Sequence, residues 1–227
     1  MENIQLDTYK LLSFDKIAST QDYAHDLIAH GDINGKTVIT ALSQSAGRGR
    51  YRRNWVSRRG NLYASFVYKI MERDPRISYA IAVAVAETLI HFGINPQIKW
   101  PNDVLVDGKK ISGILIEYSQ RFIVIGIGIN VKNCPKINDY KTDKVNKYNP
   151  NVNAIDVLNV LMKKIDKWRM ADFALVRERW MDLAVALNKI IKYHGKSVEL
   201  IGINEDGALV LRDGTRYVLT YGEEISI

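Results

Sequence analysis

The stretch Gln44-Ser45-Ala46-Gly47-Arg48-Gly49-Arg50-Tyr51-Arg52-Arg53-Asn54-Trp55 interleaves glycine with arginine. Glycine lets backbone N–H groups approach a ligand closely, and guanidinium forks fit carboxylates and phosphates. It is not a Walker loop, because the closing Gly-Lys-Ser/Thr is missing, and no third glycine opens a helix as in a dinucleotide fingerprint. Alone, it reads as a solvated basic loop or an arginine-rich RNA-binding segment as readily as it reads as a ligand-cradling loop. Further on, Lys99-Trp100-Pro101-Asn102-Asp103 presents one ammonium at the end of a strand, before a proline-fixed turn. Its plain alternative is a sheet edge guarded by a lysine. Lys109-Lys110-Ile111-Ser112-Gly113-Ile114-Leu115-Ile116-Glu117 and Gly126-Ile127-Gly128-Ile129-Asn130 complete the set. Alternating glycines strip one face of a strand of side chains, either for a flat ligand or for a tight packing contact.

No Ser-His-Asp or Cys-His arrangement is recognisable, so no side-chain nucleophile is expected. The one cysteine, Cys134, excludes a disulfide framework and a thiolate-rich zinc site, and points to a reducing compartment. Among the 227 residues 47% are apolar and 25% charged, which suits a folded domain rather than a disordered chain. Thirty-two basic against 25 acidic residues leave a net charge of +7, which favours anionic partners without naming one. The longest apolar run, residues 81–86, is too short to cross a bilayer, and the N-terminus lacks a signal-peptide core. A cytoplasmic protein without membrane attachment is the expectation.

Several elements must position these residues. Ser19, with Asp22 three residues later, caps a helix that Gly31 ends. Residues 36–43 read as a strand, 47–59 as a loop held loosely by six like charges, and 61–70 as a strand. In that second strand Leu62, Ala64, Phe66 and Tyr68 would face one way. Residues 78–92 form a helix after Pro75. Strands follow at 98–100, 104–106, 111–118 and 122–131, with a tight hairpin at Asp107-Gly108. Residues 134–153 read as a mobile polar loop, 155–169 and 172–187 as helices, and 196–227 as short strands.

Taken in order, Ser19-Thr20, the glycine–arginine loop through Trp55, Gly60-Asn61-Leu62-Tyr63, Lys99-Trp100-Pro101-Asn102-Asp103, Gly113-Ile114-Leu115-Ile116-Glu117 and Gly126-Ile127-Gly128-Ile129-Asn130 resemble the biotin protein ligases. The resemblance runs from Phe14 to Val131 and continues more weakly beyond. It implies an α+β fold: a mixed β-sheet with helices like the class II aminoacyl-tRNA synthetase core, plus a small C-terminal SH3-like β domain. Residues 1–188 would be the catalytic domain and 189–227 the small one. The activity implied is formation of biotinyl-5′-adenylate from biotin and ATP with Mg2+, then transfer of biotin to a lysine of a biotin carboxyl carrier domain of a carboxylase.

By the same resemblance, Lys99, Arg48 and Arg50 are the catalytic residues. Biotin would be held by Ser19, Thr20, Gln21, Gln44, Gly47, Arg48, Gly49, Arg50 and Lys99, with Gly113, Gly126 and Gly128 leaving room for its ring. ATP would meet Arg50, Arg53, Trp55, Lys99, Asn102 and Asn130. No protein-held metal is implied. Gln21 departs from the family's usual asparagine. Because few residues precede Phe14, no helix-turn-helix and no sequence-specific DNA binding are expected, and a homodimer is left open. The rival readings are a ligase for lipoate or another carboxylic acid, and a basic nucleic-acid-binding module.

Overall fold

Ser19 lies in extended conformation and its Oγ accepts the Asp22 N–H at 3.2 Å, so helix α1 starts at Thr20 and runs Thr20–His30. Gly31, at φ 78°, accepts the left-handed turn that ends it. The same capping device opens helix α3 (Ala154–Arg169), where Asn153 and Asp156 form a reciprocal capping box. The computed structural model describes residues 9–137 and 140–221.

A seven-stranded mixed sheet carries the molecule, in the order β1 (Lys10–Phe14), β2 (Thr37–Ala41), β3 (Leu62–Lys69), β7 (Phe122–Ile129), β6 (Lys109–Ser119), β5 (Asp103–Val106), β4 (Gln97–Lys99). Only β1 and β2 pair in parallel among these strands. Helix α1 covers one face through Ala24 and Ile28 against Ile39, Val67 and Val124. Helix α2 (Ile77–His91) packs on the other face, with α3 and α4 (Phe173–Leu183) outside it. That position explains why α2 is apolar nearly all round. Glu87 on α2 ties the outer helices in, pairing with Lys164 at 3.3 Å and Arg179 at 2.6 Å.

A second, antiparallel sheet orders β11 (Arg216–Thr220), β10 (Leu209–Asp213), β9 (Lys196–Ile203) and β8 (Ile190–Tyr193). Its Val198, Leu200, Leu209 and Leu211 belong to the same apolar cluster as α2 and α4. Tyr79 of α2 donates to the Gly207 carbonyl at 2.6 Å, across to the turn before β10.

The hairpin at Asp107-Gly108 is present, both residues having positive φ (50° and 70°), as a tight two-residue turn requires. Leu62, Ala64, Phe66 and Tyr68 of β3 do face one way, into the cluster with α2, while Val67 packs with α1, so this central strand is buried on both faces. Three features differ from expectation. Helix α4 stops at Leu183, since Ala184 turns extended and bridges Ile98, and Val185 donates to the Ile98 carbonyl at 3.0 Å. The connection after β7 is anchored: Asp143 and Val145 are buried, donating through their N–H groups to the carbonyls of Lys110 and Asn130. Strand β1 was not anticipated, its apolar residues being too few to show a period. The expected strand content of 222–227 lies outside the described residues.

Candidate active site

A cleft of about 300 Å³ opens beside the ends of α1, β3, β6 and β7, and the glycine–arginine loop forms one wall. The buried end is polar. Thr20 N–H and Oγ1 donate to Gln44 Oε1 at 2.8 and 3.2 Å, and Gln44 Nε2 donates to Ser57 Oγ at 2.8 Å. Ser65, fully buried on β3, lies 3.0 Å from both Thr20 Oγ1 and Gln21 Oε1. Gln21 donates through Nε2 to Glu117 at 2.9 Å and to the Val124 carbonyl at 3.3 Å. A buried amide or hydroxyl is stable only when paired, so this chain of bonds holds several polar groups ready at the cleft wall.

The loop is a short hairpin rather than a loose arm, which corrects the reading from its charge. Gly49 and Trp55 donate to the carbonyls of Arg53 and Gly47, both at 2.8 Å, and Arg48 bridges Asn54. Arg48 does not reach freely into the cleft. Its guanidinium holds Glu117 bidentately at 2.6 and 2.8 Å, and Asp22 at 2.6 Å. Burial would raise the Glu117 carboxyl, but hydrogen bonds from Arg48, Gln21 and His25 outweigh it and hold the group at about 2. Hydrogen bonding to Glu117, against the opposing effect of burial, raises Arg48 further above its ordinary value.

Trp55 gives the strand glycines their reason. A Cβ on Gly128 would lie 2.5 Å from the Trp55 indole and one on Gly113 2.9 Å, so the flat group on that face is the chain's own tryptophan. Gly126 instead faces Gln21, whose Oε1 would be 2.6 Å from an added Cβ. Trp55 Nε1 is buried without a hydrogen-bond partner, a donor left for an incoming acceptor.

The far end of the cleft is cationic. Lys99 is half-buried and makes no ion pair among the described residues. Behind it Trp100 packs on Tyr79 and Trp180 at ring separations of 5.4 and 6.5 Å. Asn102 donates to the Ile114 carbonyl at 2.9 Å and accepts from Arg50 at 3.3 Å. Arg50 and Arg53 both lie over the Tyr51 ring. Lys110 pairs with Asp103 at 2.6 Å and sits 5.4 Å from the Trp55 ring. An arrangement with hydrogen-bonding groups at one end and several cations at the other suits a ligand with an uncharged polar part and an anionic part.

Ser19, Thr20, Gln21, Gln44, Arg48, Gly49, Arg50, Arg53, Trp55, Lys99, Asn102, Gly113, Gly126 and Gly128 all line the cleft. Two expected residues do not. Asn130 is buried behind it, donating to the Asp143 carbonyl at 3.1 Å. Gly47 sits under the loop, where a Cβ would lie 2.5 Å from Ser57 Oγ. Sequence reasoning gave no role to Ser65, Lys110 or Glu117. Lys110 and Glu117 stood inside the quoted third stretch, but only the folded sheet says that Lys110 turns to the cleft while Glu117 meets the loop and α1.

The description "Biotin/lipoate A/B protein ligase family" fits residues 13–132. A biotin–[acetyl-CoA-carboxylase] ligase of Mycobacterium tuberculosis is 30% identical, over 93% of this chain and 87% of that protein. The bifunctional ligase/repressor BirA of Bacillus subtilis is 28% identical, over 96% of this chain and 74% of that protein. Among solved structures, the biotin protein ligase from Aquifex aeolicus in complex with biotin and ATP superposes with a TM-score of 0.82. It is 24% identical and covers 96% of this chain and 97% of that one, a likeness of fold.

Proposed function

Since the chain belongs to the biotin/lipoate A/B protein ligase family, we propose that it is a biotin protein ligase. It joins biotin to AMP with release of pyrophosphate, then passes biotin to a lysine of a carboxylase's biotin carrier domain. The observation that carries this is the two-ended cleft: a polar end built on Thr20, Gln21 and Gln44, and a cationic end built on Lys99, Lys110 and Arg50. Biotin needs donors and acceptors for its ureido group at one end and a counter-charge for its carboxylate toward the other.

In the first step a carboxylate oxygen attacks the α-phosphorus and pyrophosphate leaves. Two anions meet, and negative charge grows on the phosphoryl oxygens. Fixed cations aimed there lower the barrier without rearrangement. Lys99, bearing no ion pair among the described residues, is assigned that task, with Lys110 and Arg50 on the lining of the same cleft. Trp55, Arg53 and Asn102 are assigned to the nucleotide. In the second step the carrier lysine's amine attacks the mixed anhydride carbonyl and AMP leaves. Arg48, committed to Glu117 and Asp22, is assigned to holding the loop rather than to the phosphates. Magnesium is expected to arrive on ATP and to neutralise the departing pyrophosphate. No helix among the described residues is long and apolar enough to cross a membrane.

The test is biotin-dependent exchange of labelled pyrophosphate into ATP, followed by ATP-dependent labelling of a carrier domain. Exchange driven by lipoate in place of biotin, with none by biotin, would replace this reading with that of a lipoate ligase.

A further inference from the structure

Glu117 touches both the loop and α1, yet it is not among the residues that line the cleft. Its two oxygens receive four hydrogen bonds from three side chains on two separate elements. Arg48 comes from the loop, and Gln21 and His25 come from α1, each of these two at 2.9 Å. Arg48 is in turn held by Asp22 of α1. Loop, helix and strand β6 therefore meet at one carboxylate.

The contact with Gln21 sets the chemistry of the cleft. A carboxylate only accepts, so the amide of Gln21 must turn its nitrogen toward Glu117. The second amide hydrogen goes to the Val124 carbonyl. Oε1 is thereby left pointing the other way, toward Ser65 and the space over Gly126, at the cleft wall. With both hydrogens used, the polar capacity remaining on Gln21 is a lone pair, which suits an N–H donor such as one on a cyclic urea.

We propose that Glu117 is a positioning residue: it closes the glycine–arginine loop through Arg48 and, through Gln21, presents an acceptor to the substrate's N–H. Glu117 does not touch the reacting atoms. The substrate part of this inference rests on the biotin reading, but the loop part does not. A Glu117→Gln side chain keeps the shape, loses the charge and offers an NH2 that lets the Gln21 amide turn over.

Three measurements on Glu117→Gln and Glu117→Asp, each in the full chain, decide it. Hydrogen exchange of the ligand-free protein across residues 47–55 should accelerate about tenfold or more in Glu117→Gln, while the core of α2 stays protected. The KM for biotin in pyrophosphate exchange should rise about tenfold with a smaller change in kcat, because the contact is made in ground and transition states alike. Glu117→Asp, which keeps an acceptor-only group, should recover part of both. Unchanged loop exchange together with unchanged KM in Glu117→Gln would overturn the proposal. So would a uniform loss of protection over the whole fold with KM intact, since that marks a purely structural residue. Failure of the biotin reading would appear separately, as absence of exchange in the unaltered protein.

Discussion

Lys99 and Arg48 both looked like free cations in the chain, and the fold separates them. Lys99 faces the cleft without an ion pair among the described residues, so Lys99→Ala removes charge from the reaction and little from the structure. Biotin-dependent exchange should fall by about 10²–10³-fold, the usual cost of deleting one fixed donor aimed at developing charge. The urea midpoint should correspond to a change within about 0.5 kcal/mol. Exchange near the unaltered rate would remove Lys99 from the mechanism. Arg48 is different, for it is the partner of Glu117 and Asp22. Arg48→Ala leaves a partly buried carboxylate with fewer donors, and should cost about 1–2 kcal/mol of stability besides activity, between the values for exposed and buried pairs.

At the level of elements, Gly113 of β6 and Gly128 of β7 serve a tryptophan. Gly128→Ala would put a methyl 2.5 Å from the Trp55 indole, and the neighbour must give way because the strand cannot. Trp55 should lift from the sheet, so acrylamide should quench the variant's fluorescence more strongly than the parent's. The added quenching should vanish when Trp55→Phe is made in both, leaving Trp100, Trp168 and Trp180, which are buried. Equal quenching in all pairs would mean that the indole does not rest on the strand. The KM for ATP should rise in Gly128→Ala if Trp55 forms the nucleotide wall.

Over the whole molecule, carboxylates that join elements set the response to acid. Burial works against the ionised forms of Glu87, Glu117 and Asp143, but hydrogen bonds from basic partners prevail and lower all three below their ordinary values. A lowered folded value means stability that is present above the ordinary carboxylate range and lost as pH falls through the folded one. For Glu117 the window runs from about 4.5 down to about 2. The thermal midpoint should therefore hold above that window and fall within it, and Glu117→Gln should flatten the decline. An equally steep fall in that variant would show that Glu117 does not contribute. Glu87→Gln should act on the joint between α2, α3 and α4 instead, and leave loop exchange unchanged.

What the sequence determined by itself was whatever short-range chemistry can encode. The Ser19 cap, the Gly31 stop and the Asp107-Gly108 turn depend on neighbours within four residues, and each stands where its residue types require. The resemblance of the ordered motifs to the biotin protein ligases was enough to expect Thr20, Gln21, Gln44, Lys99 and Asn102 at one site, and all five line the cleft. Only the tertiary structure decided which groups meet across the chain. Glu117 claims Arg48 from 69 positions away, and nothing in the loop's own pattern distinguishes Arg48 from the arginines beside it. Asn130 turns behind the cleft to serve a backbone carbonyl, although its motif pointed to a ligand. Helix α4 gives up its last turn because Ile98, on another strand, offers its backbone to Ala184 and Val185. Such outcomes depend on desolvation and on the partner a distant element supplies, and neither is written in residue spacing.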